Sequence, residues 1–84
     1  MKPGDLRFAR KRFGTSINLV TLKREGGVDD VVRRIEEGEP LILLDVTREA
    51  CKKVPGGIEI WRLFTCHGIL WSYGEHVRLF SREA

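Results

Sequence analysis

Val28-Asp29-Asp30-Val31-Val32-Arg33-Arg34-Ile35-Glu36-Glu37-Gly38-Glu39-Pro40-Leu41-Ile42-Leu43-Leu44-Asp45-Val46 is the stretch on which the fold turns. Val28, Val31, Val32 and Ile35 recur at i, i+3, i+4 and i+7, one stripe of an α-helix, with Asp29, Asp30, Arg33 and Arg34 opposite. The two aspartates suit a helix N-terminus, and each precedes an arginine by four residues. Gly38 supplies a left-handed terminator and Pro40 cannot continue the helix. Residues 41–46 form an unbroken apolar run closed by Asp45 and Val46, which reads as a strand covered on both faces.

Toward the N-terminus, residues 16–23 are apolar and β-branched and read as a first strand, joined by a loop over residues 23–27 to the helix. Strand, helix and strand with short connections predict a right-handed βαβ unit with parallel strands. Asp45 and Thr47 then lie at the carboxyl end of the second strand, where ligands of such units sit, although an aspartate there more often caps a turn.

Toward the C-terminus the pattern is less decisive. Thr47 can cap a short helix with Ala50, Cys51 and Val54 inward, ended by Pro55-Gly56-Gly57. Residues 58–67 fit a helix through Ile60, Leu63, Phe64 and His67, with Gly68 as terminator, and are equally β-branched and aromatic enough for a strand. Residues 69–73 and 76–81 around Gly74-Glu75 read as a closing hairpin.

The chain has 84 residues, enough for one domain with a thin core, and such a domain often completes its burial with a second copy of itself. It contains no glutamine, one asparagine and one methionine, and 32% of it is charged, a balance seen in proteins from hot environments. No apolar run is long enough for a membrane span, and no secretory h-region follows the start, so a cytoplasmic setting is expected. In that setting Cys51 and Cys66 are expected to be reduced, pairing only if the chain is thermophilic.

The net charge of +3 is unevenly spread. Residues 1–14 carry Lys2, Arg7, Arg10, Lys11 and Arg12 against Asp5 alone, and the remainder is nearly neutral. A basic arm, helical or extended, ahead of a single domain over residues 15–84 is therefore expected. Lys2, Arg7, Phe8, Arg10, Lys11, Arg12 and Phe13 interleave charge with aromatics, which suits phosphate on a membrane or a nucleic acid, against the plainer reading of a solvated tail.

Other sites are weaker. Cys51, Cys66, His67 and His76 are four soft ligands, but without a CxxC or HxxxH spacing they do not read as zinc ligands, and a thiol–histidine dyad lacks an activating motif. Gly26-Gly27 and Gly56-Gly57 lack nucleotide-binding spacing and read as turns. Trp61, Trp71, Tyr73 and Phe80 are expected in the core and at a dimer interface rather than stacking bases, because no RNP pattern surrounds them. No catalytic residue, cofactor or small-molecule substrate is expected.

The segments Ile17-Asn18-Leu19-Val20-Thr21-Leu22, Val28 to Ile35, Glu39 to Val46 and Gly68 to Phe80 together resemble the SepF-like family of cell-division proteins. The resemblance implies an α/β sandwich: a βαβ unit, a second helix over residues 58–67 and a C-terminal hairpin, forming one mixed sheet with helices on one face. It implies a non-enzymatic homodimeric adaptor that binds the tubulin-like division protein FtsZ and reaches the inner face of the membrane through residues 1–14. Gly68 would lie near subunit contacts, with Trp61, Phe64 and Trp71 at the dimer interface. The competing expectation is a small basic nucleic-acid-binding protein of Alba-like layout, using the same arm.

Overall fold

Antiparallel strands joined by turns, several of them at glycines, make up most of the computed structural model, which describes residues 1–24, 26–51 and 53–84. The elements are β1 (Leu6–Ala9), β2 (Asn18–Leu22), β3 (Val28–Arg34), β4 (Pro40–Cys51), β5 (Val54–Thr65), β6 (Gly68–Tyr73), α1 (Gly74–Leu79) and β7 (Ser81–Glu83). They form one antiparallel sheet in the order β3-β2-β6-β5-β4-β1-β7. The expected α/β sandwich with a parallel βαβ unit is thus incorrect: β2 and β4 are not neighbours, and the only helix among the described residues is α1.

The segment expected as the organising helix is β3, an edge strand paired with β2. Its valines are β-branched and prefer an extended backbone, and Val31 and Val32 both face solvent. Gly38 does adopt positive φ, at 87°, but in a turn: the Glu39 N–H donates to the Glu36 carbonyl at 3.2 Å. This segment also joins the two sides of the curled sheet. The Ile35 N–H donates to the Ile17 carbonyl at 3.0 Å, Gly38 N–H to Ala9 at 2.8 Å, and Ala9 N–H to Glu39 at 2.9 Å.

β4 and β5 form a long hairpin, so neither the short helix near residues 47–54 nor a helix over residues 58–67 exists. β4 is not covered on both faces: Leu41 and Leu43 point into the core while Ile42 is exposed. Gly68, expected to end a helix, opens β6 after the turn at Cys66-His67, with φ 96°. The expected closing hairpin is replaced by β6, α1 and β7, with the Phe80 N–H bonded to the His76 carbonyl at 2.8 Å. The loop expected over residues 23–27 includes Glu25, which lies outside the described residues; Gly26 N–H donates to the Lys23 carbonyl at 3.1 Å.

One core results. Ala9, Ile17, Leu19, Ile35, Leu41, Leu43, Trp61, Leu63 and Val77 pack together, with Leu70 and Phe80 against them. Because this cluster draws on β1 at one side of the sheet and β2 near the other, the sheet wraps around it, and α1 supplies Val77. Each fully buried aliphatic here stabilises the fold by about 1.5–3 kcal/mol. On the face turned away from this core Ile60 of β5 is also buried, and it is the stretch of that face carrying Leu6, Ile42, Phe64 and Ile69 that is left to solvent.

Candidate functional site

Inward alternation of Leu41, Leu43 and Leu63 fixes what their neighbours must do: successive strand residues point to opposite faces, so Ile42 and Phe64 point out. Register then aligns them. Leu6 of β1 lies opposite Ile42 of β4, Ile42 opposite Phe64 of β5, and Phe64 opposite Ile69 of β6. The four form an apolar row across adjacent strands, each between 38% and 52% exposed. A groove of about 160 Å³ lies along three of the four, Leu6, Ile42 and Phe64, with Pro40 and Cys66 among its walls. One step along the strands, Asp45 and Arg62 stand opposite each other and make an ion pair at 2.6 Å, each partly exposed. On the other side, His67 Nε2 and Glu39 Oε2 are 3.1 Å apart.

Of the residues expected at a dimer interface, Phe64 is in this row and Gly68 is exposed beside it. Trp61 is core, 3% exposed, and Trp71 is half-buried opposite Arg62. Leu6, Ile42 and Ile69 escaped the sequence reading. The available signal was the alternation within Leu41-Ile42-Leu43, which a one-sided strand explains as well as a two-sided one.

The basic segment is divided by the fold. Leu6–Ala9 is β1, paired with both β4 and β7. Arg7 is buried: its Nε donates to Ser81 Oγ at 2.6 Å and its Nη2 to the Ser81 carbonyl at 3.1 Å. Phe8 is half-buried with the Arg82 guanidinium 5.2 Å from its ring centre, and Arg10 Nε donates to the Leu79 carbonyl at 3.3 Å. Lys2 is exposed, its backbone N–H on Asp5 Oδ2 at 3.0 Å. Lys11, Arg12 and Phe13 remain outward, on a hairpin in which Arg12 and Thr15 exchange backbone hydrogen bonds at 3.0 and 2.9 Å. The two residues at its tip, Phe13 and Gly14, have φ of 54° and 74°, and Phe13 is 93% exposed.

The thiols and imidazoles do not converge: among the described residues no three His, Cys, Asp or Glu side chains are grouped to hold a metal ion. Cys51 and Cys66 are both free thiols. His76 lies edge-on to Tyr73 and Phe80, with centroids 5.0 and 5.6 Å away. Burial pushes its pKa below the ordinary imidazole value, against the raising effect of Glu75. Among the described residues no helix is long and apolar enough to cross a membrane. No family model, curated protein or solved structure matches the chain.

Proposed function

We propose that this chain is a cytoplasmic, non-enzymatic protein that acts as a homodimer, its outer sheet face covered by a second copy. The observation that carries the reading is the row Leu6, Ile42, Phe64, Ile69, aligned by register across β1, β4, β5 and β6. The row suits its own copy. A two-fold axis lying in that face, parallel to the strands and between β4 and β5, exchanges the two halves of the row. It sets Ile42 over Phe64 of the second copy, and Leu6 over Ile69. The same operation sets Arg62 over Asp45 of the second copy, so the ion pairs on the two copies form one alternating network with no like charges opposed.

Each of the four side chains starts about half exposed, so covering it contributes on the order of 1 kcal/mol. Eight such side chains contribute about as much as association costs in lost freedom, so the dimer is concentration-dependent. Sedimentation velocity tests this. Wild type rises toward twice the monomer mass over the micromolar range, while Phe64→Lys stays monomeric and melts where wild type does at dilutions that leave it monomeric, because Phe64 is outside the core. A wild type that is monomeric throughout, or a Phe64→Lys protein that still dimerises, defeats the reading.

The division-protein partner and the membrane arm implied by the SepF-like resemblance do not enter this proposal. Of the four segments on which that resemblance rests, residues 17–22 and 39–46 fall mainly in strands β2 and β4, whereas residues 28–35, expected as a helix, belong to an edge strand and its exit, and residues 68–80, expected as a hairpin, are strand and helix.

A further inference from the structure

We propose that the hairpin tip at Phe13 is a binding site for single-stranded nucleic acid, with the ring stacking on a base and Lys11 and Arg12 meeting the flanking phosphates. Both tip residues have positive φ, the form of a two-residue type I′ turn, which suits asparagine, aspartate and glycine. Phenylalanine is disfavoured there, because its Cβ crowds the following carbonyl. Little in the fold offsets that strain: at 93% exposure the ring contributes almost no burial, and its one aromatic contact is the solvent-exposed cation–π pair with the adjoining Arg12, whose guanidinium is 5.5 Å from the ring centre. A strained aromatic held in solvent points to a partner outside the chain.

The chemistry of the tip selects that partner. Phe13 is the only apolar residue between Arg10 and Ser16, a small anchor for a bilayer but sufficient for one base, since stacking is a one-ring interaction. Lys11 and Arg12 make no ion pair among the described residues. The hairpin leads into β2, where Arg33 and Arg34 of the edge strand lie exposed opposite Leu19 and Asn18, projecting to opposite faces as consecutive strand residues, so the cationic groups at the tip itself are Lys11 and Arg12. Glu36 and Glu37 follow Ile35, which is bonded to Ile17, and so stand between Arg34 and the tip, confining the positive charge of the site to Lys11 and Arg12. A duplex keeps its bases stacked and denies the ring its target, so a single strand is the form that fits.

Fluorescence anisotropy with a labelled short oligothymidylate tests the site, alongside a duplex of equal length and phosphatidylserine vesicles. The single strand binds, with log affinity falling against log salt at a slope of about −1.4 if Lys11 and Arg12 both contact phosphate. Phe13→Ala weakens binding by about 5- to 150-fold, the range for losing one stacked base. Lys11→Ala with Arg12→Ala flattens the slope by about 1.4. Phe13→Asn, suited to the turn, raises the melting temperature while weakening binding, a combination that a merely structural residue would not show. The site stands apart from the sheet face, so Phe64→Lys retains oligonucleotide binding even if the dimer reading fails. Undetectable binding, equal affinity for duplex, loss of nothing on Phe13→Ala, or affinity for the vesicles alone overturns the proposal.

Discussion

At the scale of single residues, Gly57 shows how tightly the β4–β5 hairpin is drawn. Its φ is 82°, and a Cβ there would meet the Glu49 carbonyl oxygen at 2.6 Å, which is backbone and cannot turn aside. Gly56 has the same φ with open space around it. Gly57→Ala is therefore expected to cost about 2 kcal/mol or more, and Gly56→Ala about 1 kcal/mol, the conformational cost alone, as read by urea unfolding. His76 gives a pH prediction. Because its folded pKa lies below the ordinary value of about 6.5, the unfolded chain binds the proton more readily. Its contribution is complete above about pH 6.5 and is lost as pH falls from there through the folded pKa. Urea midpoints of wild type should therefore drop more between about pH 7.5 and 5.5 than those of His76→Phe, which cannot take up that proton. A parallel drop in both proteins would assign the loss elsewhere. Some of this scale was legible in the sequence: Gly38 was read as a left-handed position and is one, because φ is a local property. Arg7 was not, since only the tertiary pairing of β1 with β7 brings Ser81 to it.

Among the elements, β3 explains why the fold class was misread. Seven residues, Val28–Arg34, oppose the five of Asn18–Leu22, with register shifts at two places. Such bulges lengthen the spacing of apolar residues from two toward three, and a strand so interrupted imitates helical periodicity. Edge position removes the other clue, since with little to cover it the strand carries Asp29, Asp30, Arg33 and Arg34, which also discourage pairing with foreign strands. The two accounts separate cleanly by mutation. Val32→Lys should change stability by no more than about 0.5 kcal/mol, because Val32 lies in solvent rather than on a packed helix face. Leu43→Ala, in the core of β4, should cost about 2–5 kcal/mol. The extended character of residues 18–22 and 41–46 was legible because their apolar runs are uninterrupted where they meet the core, although β4 continues to Cys51, is covered on one face only at Ile42 and pairs antiparallel. Residues 74–79 were not, because six residues are too few for a helical period to show and Val77 alone is buried with Gly74.

On the scale of the whole molecule, a small curled sheet has an inside and an outside, and this one has apolar residues on both. The inside was foreseeable from composition as a thin core. The outer row was not, because Leu6, Ile42, Phe64 and Ile69 come from four strands and become neighbours only through register. The ion pair between Asp45 and Arg62 lies on the same face, and it provides the sharpest test of whether two copies meet there. Asp45→Arg and Arg62→Asp proteins are prepared separately, and their masses are measured by sedimentation alone and after mixing. The account predicts monomers for each alone, since like charges oppose across the two-fold, and a heterodimer on mixing, where every arginine faces an aspartate. Dimers in the separate samples, or a mixture that stays monomeric at concentrations where wild type pairs, would contradict it.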